Sequence, residues 1–164
     1  MLGQLRAIYH YLWALGGAIF YRFPARELTV IGITGTKGKT TTVELLNTIL
    51  EARGEKTALA STLRFKIGKV SKPNRLKMTM PGRAYLQRFM RQAVAANCRY
   101  AIIEMTSEGA KQFRHRFIDL DVLIFTNLTP EHIESHGSYE KYLEAKLSIG
   151  RDLVHSRKPA PTLI

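Results

Sequence analysis

At 164 residues, 45% hydrophobic and 23% charged, the chain has the ordinary balance of one globular domain and can bury a real core. Lys+Arg 25 against Asp+Glu 13 gives +12, which favours polyanionic partners (nucleotides, phosphorylated sugars, nucleic acid or an anionic membrane surface) without choosing among them. The single cysteine, Cys98, excludes an internal disulfide framework, fits a reducing compartment and reads as a buried structural thiol.

Residues 1–22 have helical spacing, with Leu2, Leu5, Tyr9 and Leu12 on one row and Ile8, Leu15 and Ile19 on the next. The fifteen residues between Arg6 and Arg22 are almost all apolar but include His10 and Gly16-Gly17, too short a run for a membrane span. No small-residue cleavage site follows, which argues against a signal peptide. Two readings remain: a helix at a membrane surface with Arg6, Arg22 and Arg26 near anionic headgroups, or, favoured, a helix covering the sheet or a missing partner domain.

After a break at 23–26, Leu28–Thr34 reads as a strand entering Gly35-Thr36-Lys37-Gly38-Lys39-Thr40, and Thr41–Arg53 as the helix that leaves it. Glycines let backbone N–H groups turn inward, the helix N-terminus adds partial positive charge, and a lysine reaches outer phosphates. Thr40 would offer its hydroxyl to Mg²⁺. The strict phosphate-loop spacing wants glycine at 33, where Ile33 stands, so this is a shorter G-T-K-G-K-T form.

Thr57–Thr62 reads as a second strand, and Arg64–Lys72 as a hairpin whose run Arg64, Lys66, Lys69, Lys72 and Arg75 is either a solvated face or a guide for an anionic substrate. A turn at 78–82 leads into a helix over Arg83–Asn97. Arg99–Glu104 is a near-continuous apolar strand ending in a carboxylate, suited to hold Mg²⁺ at the end of the sheet where ligands collect. Met105–Arg116 reads as loop and short helix, and Asp121–Asn127 as another buried strand. Strands alternating with helices predict an α/β fold with a mostly parallel sheet flanked by helices.

His132 and His136, four apart, lack the metalloprotease pattern, and a zinc pair is a minor alternative. The following helix puts Tyr139, Tyr142, Leu143, Lys146, Leu147 and Gly150 on one face, so Lys146 lies on an apolar side. There its ammonium must be neutralised, paired or chemically changed, unless its stem snorkels to the rim.

The set Ile33–Thr41, Glu104-Met105-Thr106-Ser107-Glu108-Gly109, Thr126-Asn127-Leu128, Glu131-His132 and Tyr142-Leu143-Glu144-Ala145-Lys146 resembles the Mur ligase family, ATP-dependent amide-forming ligases that add amino acids to the peptidoglycan precursor. Thr79-Met80-Pro81 and Thr106–Arg114 resemble the UDP-N-acetylmuramoyl-tripeptide synthetase branch most. The resemblance implies that Gly35, Thr36, Lys37, Gly38, Lys39, Thr40, Thr41 and Asn127 hold ATP. It also implies that Lys39, Glu104, His132 and Lys146 serve catalysis. Thr40, Glu104, His132 and Lys146, the last as a CO₂-derived carbamate, would hold Mg²⁺. Thr79, Thr106, Gln112 and Arg114 would contact the UDP-N-acetylmuramoyl peptide.

The sequence departs from the family at Glu131 (usually aspartate), Lys37 (commonly asparagine) and Met80 (threonine). The expected organisation is an apolar helix and linker, 1–27, before an ATP-binding central domain, 28–164, that is C-terminally incomplete and so ligates nothing alone. A cytoplasmic monomer is expected, with the N-terminal helix touching the inner face of the membrane as an extension. The rivals are a folylpolyglutamate synthase-like ligase, a non-catalytic membrane-associated nucleotide-binding module, and a P-loop NTPase acting on nucleic acid. The last would explain +12 but neither Lys146 nor His132, and no nucleic-acid partner is expected.

Overall fold

A computed structural model describes residues 2–76, 78–82, 84–129 and 137–164, with side chains from residue 5 onward. In chain order the elements are α1 (Leu2–Phe20), a 3-10 turn (Pro24–Glu27), β1 (Thr29–Thr34), α2 (Lys39–Ala52), β2 (Thr57–Ala60), β3 (Arg64–Ile67) and β4 (Val70–Pro73). There follow α3 (Tyr85–Ala95), β5 (Tyr100–Glu104), α4 (Ser107–Lys111), β6 (Val122–Phe125), α5 (Tyr139–Val154) and β7 (Thr162–Leu163). The elements expected from sequence form within a few residues of their anticipated ends.

The seven strands make one sheet in the order β4-β3-β2-β5-β1-β6-β7. Strands β2, β5, β1, β6 and β7 run parallel, and the β3–β4 hairpin adds an antiparallel edge through β2. The chain runs from β1 out to β2, returns to β5 and then passes to β6 on the far side of β1. The order therefore reverses at β1, which puts the crevice for a ligand at the carboxyl ends of β5, β1 and β6.

Alternation along the buried strands divides the core between the two faces. Val30, Ala58, Ala60, Ala101 and Ile103 pack with Phe89 and Met90 of α3 and Ile149 and Leu153 of α5. Ile31, Ile33, Leu59 and Ile102 pack with Val43 of α2. Ile33 is thus still strand, fully buried and opposite Glu104 and Ile124. The missing glycine of the longer spacing falls in the sheet rather than in the loop.

Three sequence expectations are corrected here. Lys66 is not on a solvated face: its side chain is 6% exposed and its ammonium pairs with Glu51 at 2.7 Å and donates to Thr57 Oγ1 at 2.8 Å. Arg64 is likewise spent on Glu44 at 2.6 Å, so only Lys69, Lys72 and Arg75 of that run stay on the exposed surface. Leu147 points outward at 44% exposure, while Ile149 and Leu153 join Tyr142 and Lys146 inside. Cys98 is buried, its thiol directed at the Thr57 carbonyl.

Candidate active site

The chain leaves β1 at Thr34 and turns at Gly35, whose φ is +144° and where a Cβ would stand 2.0 Å from Thr126 Oγ1. Only a residue without a side chain fits this turn. Gly38, φ +80°, then directs the chain into α2 at Lys39. The loop is held from the end of β6: Asn127 Oδ1 accepts from the N–H groups of Thr36 (3.2 Å) and Lys37 (2.9 Å), and Asn127 Nδ2 donates to the Lys37 carbonyl at 2.9 Å. Thr126 adds a hydrogen bond from its hydroxyl to the same carbonyl at 2.8 Å. The Lys39 ammonium lies back over the loop, donating to the carbonyls of Gly35 (3.0 Å) and Thr36 (2.8 Å). Thr41 is exposed on the first turn of α2.

Glu104, 2% exposed, ends β5 next to the loop. Its carboxylate accepts from the Thr40 hydroxyl, 3.0 Å from each oxygen, and from the N–H and hydroxyl of Thr62 at 2.8 and 2.9 Å. Because the Thr62 proton goes to Glu104, the 2.8 Å contact between Thr62 and Thr79 has Thr79 as donor. A single hydrogen-bonded row, Thr79–Thr62–Glu104–Thr40, therefore connects two expected ligand-binding threonines through the expected metal ligand. Thr62, its central member, escaped sequence reasoning because it sits alone just past a strand end with no motif around it.

The opposite wall comes from α5. Lys146 is 2% exposed and donates to the Gly35 carbonyl at 2.7 Å, across 111 residues of sequence. Its ammonium stands 5.0 Å from the centre of the Tyr142 ring, and the Tyr142 hydroxyl is 2.7 Å from Thr36 Oγ1. Two side chains one helical turn apart thus grip one phosphate-type loop. Snorkelling is ruled out by the burial of Lys146. Tyr142, noted from sequence only as part of an apolar face, is a site residue as well.

Between these walls lies a cavity of about 370 Å³ lined by Gly35, Thr36, Lys39, Thr79, Thr106, Gln112, Arg114 and Lys146, among others. The structure thus brings all four expected substrate residues to the phosphate loop. Thr106 also caps α4, accepting from Gly109 N–H at 3.1 Å. Arg114 donates to the Met80 carbonyl and to Gln112, and burial pushes its guanidinium pKa down against the raising influence of Glu108. Met80, where the family has threonine, is fully packed in the core and receives the Thr106 N–H on its sulfur. His132, with Glu131 and His136, lies outside the described residues, as does Arg83. Among the described residues no cluster of three His, Cys, Asp or Glu side chains forms a ready-made metal site. The oxygen donors Thr40 and Glu104 nevertheless suit a hard cation.

The Mur ligase middle domain model matches residues 33–158. The chain belongs to the Mur ligase family. It is 39% identical over 131 residues to the UDP-N-acetylmuramyl-tripeptide synthetase of Roseiflexus sp. (strain RS-1), a match covering 79% of this chain and 26% of that protein. It is 39% identical over 127 residues to the UDP-N-acetylmuramoyl-L-alanyl-D-glutamate–2,6-diaminopimelate ligase of Geobacillus kaustophilus (strain HTA426), covering 77% and 26%. The chain therefore spans about a quarter of the length of these family members.

In three dimensions it resembles a solved diaminopimelate ligase of the same name, with TM-score 0.66, 22% identity and coverage of 82% of this chain and 31% of that one. It also resembles the folylpolyglutamate synthase of Mycobacterium tuberculosis complexed with ADP and AMPPCP, with TM-score 0.69, 12% identity and coverage of 93% and 40%. At these identities the likeness is one of fold, shared by both kinds of ligase.

Proposed function

We propose that this chain forms the ATP site of a ligase that joins an amino acid to a UDP-N-acetylmuramoyl peptide in the cytoplasm, working as a monomer and taking ATP and Mg²⁺. The observation that carries the reading is the buried Lys146 ammonium held at 2.7 Å on the phosphate-loop carbonyl and facing the same cavity as Thr106, Gln112 and Arg114. That juxtaposition favours a ligase over a simple nucleotide-binding module, because phosphate-binding and carboxylate-binding groups share one cleft.

In this reading the loop N–H groups, the N-terminus of α2 and Lys39 hold the ATP phosphates. Arg114, with Gln112, presents a planar donor set to the carboxylate of the substrate. That carboxylate takes the γ-phosphoryl group, the amine of the incoming amino acid attacks the acyl phosphate, and inorganic phosphate leaves. Thr40, Glu104, His132 and Lys146 as its carbamate would hold Mg²⁺, which when bound supplies charge neutralisation of the transferring phosphoryl group. Thr62 fixes the orientation of Glu104, and Lys39 would leave the loop carbonyls to meet the charge that develops on the transferred oxygens. Carbamylation of Lys146 requires its amine to lose a proton before adding CO₂, converting a buried cation into an anionic oxygen donor.

The test is nucleotide binding by calorimetry and bicarbonate-dependent intact mass. The chain is expected to bind Mg²⁺-ATP weakly, to lose that binding in Lys39→Ala, and to gain the mass of CO₂ with bicarbonate but not in Lys146→Ala. Wild-type affinity unchanged in Lys39→Ala would sink the ATP site, and no gain of the mass of CO₂ in the wild type with bicarbonate would sink the carbamate.

A further inference from the structure

Helix α1 is built with its small residues inward and its large ones outward. Gly17 and Ala18 are buried and Ala7 and Ala14 half-buried, and the approach is so close that a Cβ on Gly17 would lie 2.3 Å from the Ala84 Cβ. Tyr11 packs its ring on Phe113 and Phe117, and Arg91 of α3 donates to the carbonyls of Tyr21 and Arg22 just past the helix end. The outer surface, by contrast, carries Leu5, Ile8, Tyr9, Leu12, Trp13, Ile19 and Phe20, all between 47% and 78% exposed. A surface helix normally turns its large apolar side chains to the core and its charges to water. Here the arrangement is reversed, over a helix about 28 Å long by its rise of 1.5 Å per residue. An exposed apolar surface of that extent marks an interaction site.

The charges around it select the occupant. Arg6 is the one formal charge in the helix, and Arg22 follows its end. Along its Tyr9–Trp13 edge a 510 Å³ cavity reaches Arg114 and Arg116, the latter paired with Asp152 at 2.6 Å, and a neighbouring groove, joined to it through Leu76 and Tyr85, carries the exposed Lys72, Arg75 and Arg88, which supply the basic margin. Among the described residues neither lining contains an acidic side chain. A second copy of a chain of charge +12 would meet this face with repulsion, whereas an anionic bilayer complements both the apolar row and its basic margin. Among the described residues no helix is long and apolar enough to cross a membrane, so the helix would lie along the surface.

We infer that α1 docks the protein on an anionic phospholipid surface, its Leu5–Leu12–Ile19 row in the acyl boundary and Tyr9 and Trp13 at headgroup level. This is independent of the chemistry assigned to the phosphate loop. The same cavity shares Met78, Gln112 and Arg114 with the candidate active site, so the cleft opens beside the docked face.

Trp13 is the chain's only tryptophan, and its emission reports the contact directly. With vesicles of 3:1 phosphatidylcholine and phosphatidylglycerol its emission should shift to the blue and the protein should co-sediment. Binding should weaken at least tenfold on phosphatidylcholine alone, about fivefold in Arg6→Gln, from the usual value of one surface arginine, and at least tenfold in Leu12→Glu. Far-UV dichroism and the urea midpoint of Leu12→Glu should match wild type, because Leu12 packs outward. The inference is overturned by no shift and no sedimentation on the anionic vesicles or by equal binding of wild type and Leu12→Glu. It is also overturned by Trp13 already shielded from iodide without lipid, as a second copy or another segment of the protein would cause.

Discussion

The fastening of α5 beneath the candidate site gives a test of how burial sets charge in this protein. His115 follows the segment that carries Gln112 and Arg114; it is 2% exposed, its Nδ1 has no hydrogen-bond partner among the described residues, and its Nε2 lies 3.4 Å from Asp152 of α5. Burial, with the Arg116 guanidinium, pushes His115 from its ordinary 6.5 down to about 4. Burial pushes Asp152 the other way, from 3.8 up to about 6, against the lowering influence of Arg116 and His155.

The depressed histidine contributes stability that is present above pH 6.5 and lost as pH falls through about 4. The raised aspartate contributes stability that is present below pH 3.8 and lost as pH rises through about 6. Each shift corresponds to about 3 kcal/mol at its full extent, so the two oppose one another and the pair leaves stability nearly level between pH 4 and 6.

Asp152→Asn keeps the shape of the neutral acid and removes only the aspartate's share. Its stability relative to wild type should rise by up to about 3 kcal/mol from pH 4 to pH 7. That is a urea-midpoint difference of up to about 1.5 M for a slope of roughly 2 kcal/mol/M. Urea titrations of both proteins at half-unit steps provide the difference curve, in which titrating groups away from this pair cancel. A difference that is flat from pH 4 to 7 would refute the argument that desolvation governs this pair.

Thr62→Val removes the hydroxyl between Thr79 and Glu104 while leaving the Thr62 N–H on the carboxylate. The expected outcome is a 10–100-fold loss of Mg²⁺ affinity in the nucleotide complex, the usual cost of losing a partner that orients a metal ligand, with a stability loss of about 1 kcal/mol; Mg²⁺ titration and urea unfolding measure the two, and unaltered Mg²⁺ affinity counts against the hydrogen-bonded row. Gly17→Val should drive α1 off the start of α3, because even a Cβ there stands 2.3 Å from Ala84. Limited proteolysis should then cut within residues 18–28 at least tenfold faster while nucleotide affinity is unchanged, and an unchanged cleavage rate would show that α1 is not seated through this contact.

Much of the fold was legible because the chain's local signals agree. The β-branched runs before Gly35 and Glu104, the helical stripe of α3 and the lone lysine on the apolar side of α5 each state which residues turn inward, and the structure follows them. The Gly-Lys-Thr loop declares its own chemistry through glycine and charge content. Periodicity says which face is buried but not which residues a hundred positions apart will meet. For that reason the grip of Asn127 on the loop, the row through Thr62, and the meeting of Lys146 with Gly35 appear only when β6, β5 and α5 are packed around β1.

Lys66 was misread for a related cause: in a hairpin, alternation assigns a side but cannot foresee that Glu51 will reach across to neutralise a buried ammonium. Helix α1 is the limiting case. Apolar nearly all round, it offers no hydrophobic asymmetry from which to choose its inner face, and the choice fell to residue size. The backbone approached Ala84 most closely where glycine and alanine allowed it, which turned leucine, isoleucine and tryptophan outward. The sequence by itself determined an α/β phosphate-binding domain and the residue types of its site; the tertiary structure alone decided which of them share one cavity and which apolar surface is left to the outside.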